Sequence, residues 1–364
     1  MRQGITVEKK SMVGFSCSTP YHLLLSLHMA VHEFAEDDKV LILFDHLQNS
    51  SAVVPKLRRL GIFKSIVYID DGCKWKRWMY YVSIPGRLRA ILQAYEFKEF
   101  IFFHPDPKVN LQMIACLEKR NRGCMICLGE DGLGTYLRKD AFQLDPTVWK
   151  RKWALKLFGR DRFFKFYKRM YLVNPALLAY RTRLEIVKIH PLDLGNDALR
   201  RMLHAIWGEI PQQPYDIVFF QQPFREDKLF QLEEIQKQAI DILCAGSKGK
   251  KVSVKLHPRA AASRLLPADG KILPLPEIPF EITFSSSMNQ KTMVTVFSSA
   301  VLTPFLLAGL TPNLVILSEL IPQKDKNPKL DAFYHKFKAM YERKGGRMFF
   351  PKSFEEYRAL LQSV

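Results

Sequence analysis

The sequence predicts an α/β protein of two domains, each a parallel sheet covered by helices, facing each other across a cleft. Three observations carry that prediction. The chain has 364 residues, 48% of them hydrophobic, which is enough for a large core and too long for one ordinary domain. Short apolar runs alternate with longer helical stretches, the rhythm of a parallel sheet buried on both faces. The rhythm breaks once, between residues 147 and 210, and then resumes.

The first strand is Val13-Gly-Phe-Ser-Cys17. A helix from Tyr21 to Phe34 follows, started by Ser18-Thr19-Pro20, whose hydroxyls and proline suit a helix N-terminus. Strands are expected next at Val40–Phe44, Ser65–Ile69, Glu99–Phe103 and Met125–Leu128, with helices between them such as Ile84–Tyr95. Residues 147–212 read as a basic, aromatic connecting segment of helical character. The second series runs through the strand Asp216–Phe220, the helix Lys228–Leu243, and the strands Lys251–Lys255, Met293–Phe297 and Asn313–Leu317. Domains are therefore drawn at 1–146 and 213–364.

Lys and Arg total 55 against 36 Asp and Glu, a net charge of +19, which calls for an anionic partner such as a phosphorylated substrate, an anionic lipid surface or nucleic acid. The six cysteines read as reduced thiols, since a chain of this size needs no disulfide staples. Cys124 and Cys127 form a C-x-x-C inside an apolar strand, with no second pair to complete a zinc site, so no metal is expected. No apolar run of signal-peptide or membrane-spanning length is seen, so the expected place is the cytoplasm, in solution or on a membrane surface.

Ligands of such sheets bind beyond the carboxyl ends of the strands. Four loops there carry polar residues. Ser16 to His22 is the first. The second, Leu128-Gly-Glu-Asp-Gly-Leu-Gly134, sets Glu130 and Asp131 between glycines, where a partly desolvated carboxylate can act as a general base; a solvated turn has the same composition. The third, Lys255-Leu-His-Pro-Arg259, offers His257 as a proton donor, with Lys255 on the same side of the strand adding positive charge. In the fourth, Ser298 and Ser299 open the helical stretch Ala300–Leu307 and suit a phosphate as well as an ordinary cap. Two look-alikes lie in the first domain, Asp70-Asp71-Gly72 and His104-Pro105. The stretch from Trp149 to Tyr171 interleaves aromatics with cations, as membrane-surface segments do and as nucleic-acid stacking platforms do.

An acidic pair followed by Gly, then a His-Pro, then a Ser-Ser resembles the motif set of the bacterial sialyltransferases with the glycosyltransferase-B fold. Here these are Glu130-Asp131-Gly132, His257-Pro258 and Ser298-Ser299. Cys17-Ser-Thr-Pro-Tyr-His22 and Lys255-Leu-His-Pro-Arg259 look most like glycosyltransferase family 52, which includes lipooligosaccharide sialyltransferases. The resemblance implies two Rossmann-like domains, the first on the acceptor side and the second binding the nucleotide sugar. It implies an enzyme that moves sialic acid from CMP-sialic acid to a terminal sugar, galactose being the first expectation, of a surface glycan or glycolipid.

It further implies that a carboxylate takes the acceptor's proton, that His257 protonates the leaving phosphate, and that Lys255, Pro258, Ser298 and Ser299 hold the donor. A ribose-binding glutamate is expected at Glu281, with Glu277 second. The base is ranked Glu130, then Asp131, then Asp227 from the loop 221–227, where Glu226 lies beside it. Ser18, Thr19, Pro20 and Gly132 would line the acceptor side. No Asp-x-Asp occurs and CMP carries one phosphate, so transfer without metal or cofactor is expected, with inversion at the anomeric carbon. An anionic membrane surface is then the partner of the basic segment, nucleic acid is not, and a homodimer is compatible with all of this. The other readings are a family 52 enzyme using another nucleotide sugar, and a basic binding protein without catalysis.

Overall fold

The computed structural model describes residues 12–44, 50–69, 86–103, 108–137, 166–209, 215–247, 249–257, 273–275, 278–323 and 326–363. Two compact units result. The first comprises Met1–His190 with Gly195–Gly208, and the second Pro191–Leu194 with Glu209–Val364.

In the first unit the order is β1 (Met12–Cys17), α1 (Pro20–Val31), β2 (Asp38–Phe44), α2 (Ser50–Leu60), β3 (Ser65–Ile69), α3 (Gly86–Ala94), β4 (Phe97–Phe102), α4 (Lys108–Arg120), β5 (Met125–Gly129), α5 (Leu133–Leu137), β6 (Tyr167–Leu172), β7 (Glu185–Lys188) and α6 (Asp197–Trp207). The strands form one sheet in the order β3-β2-β1-β4-β5-β6-β7, and every pairing is parallel. Such a sheet is buried on both faces, which is why all six residues of β1 are buried. Gly14 is required within it, because a Cβ there would lie 2.3 Å from the Phe100 ring on β4.

The segment expected to be a helical connection is organised differently. Residues 147–165 and 210–212 of it lie outside the described residues, but 167–172 and 185–188 add two strands to the first sheet. Their charges hid them from pattern reading, and the structure shows Arg169 and Glu185 paired within the sheet. Arg169 on β6 reaches Glu99 Oε1 on β4 at 2.6 Å and Glu185 Oε2 on β7 at 2.9 Å. Tyr171 donates to Glu99 Oε2 at 2.6 Å, and Cys127 of the C-x-x-C lies 3.4 Å from the same oxygen.

The second unit contains β8 (Ile217–Phe220), α7 (Phe230–Gly246), β9 (Val252–Lys255), β10 (Leu273–Pro274), β11 (Thr292–Thr295), α8 (Thr303–Ala308), β12 (Asn313–Ile316), α9 (Pro328–Glu342), β13 (Met348–Phe349) and α10 (Phe354–Ser363). Its sheet runs β10-β9-β8-β11-β12-β13, again all parallel. Counted from its own first strand, this is the same 3-2-1-4-5-6 order that opens the first sheet. The helix expected at 300–307 begins as a 3-10 turn, Ser299–Leu302, before α8. The core under α7 and α10 joins Phe219, Ile240, Val254, Val294 and Tyr357.

In each sheet the strand order reverses beside the first strand, between β1 and β4 and between β8 and β11. The carboxyl ends there form a crevice that sheets of this kind use for ligands.

Candidate active site

The first unit's crevice is built around the start of α1. Thr19 caps that helix, its Oγ1 accepting from His22 N at 3.2 Å, and Pro20 occupies the first turn, where its missing N–H costs nothing. Ser18 is buried; its N–H donates to His22 Nδ1 at 3.2 Å, while its hydroxyl has no partner among the described residues. His22 Nε2 lies 2.5 Å from Asp131 Oδ1. The imidazole stacks on Phe103, with ring centroids 5.2 Å apart and planes 14° apart. Phe103 sits there because residue 129 is glycine, a Cβ at which would lie 2.5 Å from its ring.

The acidic pair divides into two different groups. Glu130 is 1% exposed and takes three donors: Tyr21 OH at 2.8 Å, Val173 N–H at 2.8 Å, and the Tyr136 hydroxyl. Burial pushes its carboxyl above the ordinary range. The bonds from Tyr136, Val173 and Tyr21 oppose that, and the neighbouring Asp131 adds to it. The side chain of Asp131 is 30% exposed, against 1% for His22. Its N–H donates to Thr135 Oγ1 at 2.8 Å, and Gly132 follows at φ 88°, a turn that glycine makes without strain.

In the second unit, Lys255 ends β9 and its Nζ donates to Ile278 O at 2.7 Å. Glu281, in the 3-10 turn Phe280–Thr283, is buried. Burial raises its pKa, and its own N–H, the charge of Lys255 and the Thr303 hydroxyl hold it back. Ser298 follows β11; its Oγ accepts from Ala300 N at 3.3 Å and its N–H donates to Thr295 Oγ1 at 3.0 Å. Ser299 opens the 3-10 turn and is partly exposed. His257 is partly exposed two residues beyond β9. At the end of β8, Gln221 is 5% exposed with an Oε1 that has no partner among the described residues. A cavity of about 470 Å³ opens beside Phe297, between Phe230, Ser318 and Leu330.

The structure thus gathers Ser18, Thr19, Pro20, Glu130, Asp131 and Gly132 in one unit. It gathers Lys255, Glu281, Ser298 and Ser299 in the other. Asp227 is exposed in the turn 224–228 of the second unit, whose Lys228 has φ 61°. Pro258, Glu277, Asp70-Asp71, His104-Pro105 and the aromatic–basic residues 149–165 lie outside the described residues. Among the described residues, no group of three His, Cys, Asp or Glu side chains is arranged to hold a metal ion, and no helix is long and apolar enough to cross a membrane.

Sequence reading missed Tyr21, Tyr136 and His22 as partners of the acids. For His22 a signal existed: it stands three residues after the capping Thr19, where a capping box places a side chain that turns back onto the backbone.

A sequence model described as alpha-2,8-polysialyltransferase (POLYST) matches residues 15–312. No curated protein matches the chain. Among solved structures, the UDP-GlcNAc 2-epimerase of Methanocaldococcus jannaschii in complex with UDP-GlcNAc and UDP is 12% identical. The match covers 98% of this chain and 93% of that one, with a TM-score of 0.55. The glycotransferase of kitacinnamycin is 11% identical over 98% of this chain and 90% of its own, with a TM-score of 0.53. UGT89C1 of Arabidopsis thaliana is 11% identical with the same coverages and a TM-score of 0.50. At such identities the likeness is one of fold, the glycosyltransferase-B type with two Rossmann-like domains.

Proposed function

This chain belongs to the alpha-2,8-polysialyltransferase family, and on that premise we propose that it transfers sialic acid from CMP-sialic acid to the terminal sugar of a glycan. A glycosyl-transfer role is supported by the family and the fold together. The observation that carries the finer reading is the position of the three motifs. The acidic pair and Ser-Ser follow the carboxyl ends of β5 and β11, and Lys-Leu-His starts on the last residue of β9, in two sheets with one strand order.

In the proposed reaction Asp131 takes the proton of the acceptor hydroxyl. Its partial exposure supports this, whereas the burial of Glu130 under three donors supports a structural role for that residue. The hydroxyl oxygen bonds to the anomeric carbon of the donor. The bond from that carbon to the phosphate oxygen breaks with its electron pair, and His257 protonates the oxygen as CMP leaves. One displacement inverts the anomeric carbon. Lys255 offsets phosphate charge, Ser298 and Ser299 hold the phosphate, and Glu281 takes the ribose hydroxyls.

The family description favours sialic acid, attacking through its 8-hydroxyl, as the acceptor terminus over the galactose expected from the sequence. The single phosphate of CMP and the lack of an Asp-x-Asp support transfer without metal. The excess of cations supports work at an anionic membrane surface that carries a glycolipid acceptor.

The test is a donor screen with mass analysis of products on acceptors ending in sialic acid or in galactose, with and without EDTA. CMP-sialic acid should be consumed, UDP-sugars left intact, and EDTA without effect. If CMP-sialic acid is neither bound nor consumed, the proposal fails. Loss of activity in EDTA with recovery in Mg²⁺ would overturn the metal-free part alone.

A further inference from the structure

We infer that His22 is a positioning residue for the transfer reaction, holding the Asp131 carboxylate in the orientation that receives the acceptor's proton. The inference deepens the proposed function and rests on its reading of Asp131 as the base. The sequence Thr19-Pro20-Tyr21-His22 puts an imidazole at the third position of α1. A glutamate at that position would turn back to cap a backbone N–H. Here Nδ1 does so instead, accepting from Ser18 N at 3.2 Å. An N–H can point only at a ring nitrogen that carries no hydrogen, so the hydrogen of the neutral ring lies on Nε2. Nε2 then donates to Asp131 Oδ1 at 2.5 Å.

The ring has no freedom to turn away. It is 1% exposed, stacked on Phe103, and Phe103 is seated against the bare Gly129. The loop fixes Asp131 from its own side through the N–H donated to Thr135 Oγ1 at 2.8 Å. Anchored at Oδ1 and at the backbone, the carboxylate keeps one rotation. The imidazole itself does not meet substrate, because both nitrogens are engaged inside the protein while Asp131 reaches the surface. The histidine therefore acts through the aspartate.

The experiment compares H22N, H22Q, D131N and H22N/D131N, with F103L as a packing control, by kcat and acceptor KM on a sialic acid-terminated acceptor. Asparagine keeps an acceptor near the Nδ1 position for Ser18 and loses the reach to Asp131; glutamine keeps a donor near the Nε2 position. H22N should lower kcat about 10²-fold, the scale of a misplaced catalytic group, with KM nearly unchanged. H22Q should recover most of the loss, and F103L should lose far less even at an equal drop in melting temperature. H22N should add nothing in the D131N background. Losses that multiply in the double variant would overturn the inference and leave the base reading standing. A D131N enzyme with full activity would overturn both. A loss in H22N that F103L reproduces, or that H22Q fails to recover, would reduce His22 to packing.

Discussion

The two units share a strand order and differ in how they hold polar groups at their carboxyl ends. In the first, acids are held by neutral donors: three on Glu130, and the His22 imidazole on Asp131. In the second, the buried Glu281 is held by its own N–H, with the charge of Lys255 and the Thr303 hydroxyl adding to it, and a serine hydroxyl caps the turn that follows β11. The sheet dictates where a loop emerges, and the side chains it carries decide which charge the crevice favours. A crevice of carboxylates and aromatic hydroxyls suits proton removal from an alcohol. A crevice with lysine, histidine and serine hydroxyls suits a phosphate.

The sharpest way to break this comparison lies inside the acidic pair. D131N should lower kcat about 10²–10⁴-fold, the range for losing a positioned base. E130Q should cost much less in kcat and show itself in the melting temperature, because an amide nitrogen cannot accept from Tyr21, Tyr136 or Val173. A greater kcat loss in E130Q than in D131N would reverse the roles of the two residues.

The next effect separates the two units. H257A should lower kcat about 10²-fold with CMP-sialic acid, at the lower end of the acid–base range. With a sialyl donor whose leaving group needs no proton, H257A should regain activity and D131N should not. If both variants respond alike to the better leaving group, His257 is not the acid and the division between the crevices falls.

Much of the scaffold was legible because its signals are local. Short continuous apolar runs rich in β-branched and aromatic residues, such as Val40–Phe44, read as strands buried on both faces, and a loop behind such a run lies at a strand end. The strands at 167–172 and 185–188 were illegible for a matching reason. Arg169 and Glu185 break the apolar pattern, and their neutralisation by each other and by Glu99 is a long-range event. The same holds for the acids. Adjacent carboxylates between glycines announce a site, but which one is buried depends on Tyr21, Tyr136 and Val173, brought in from α1, α5 and the end of β6. His22 lay in plain view beside Thr19, and only its distance from Asp131 gives it a role.

The smallest expected effect is thermodynamic and concerns Glu130 alone. Its carboxyl is displaced upward from 4.5 in the folded protein, burial being the largest cause, so over the interval just above that value the folded state binds more proton than the unfolded. Stability from this group is therefore full below the unfolded pKa and is lost as pH rises through the folded one. The E130Q protein has no such group. The stability of the wild type relative to E130Q should then fall, by an amount on the order of 1 kcal/mol, as pH is raised from 4.5 towards neutrality. Denaturant unfolding of both proteins at matched pH measures it, and carboxyls common to the two cancel in the difference. A difference independent of pH would mean that Glu130 titrates alike in both states, its three donors fully offsetting burial. A difference that grows with pH would mean that those donors overcome it, so that even the deeper of the two acids is held as a carboxylate.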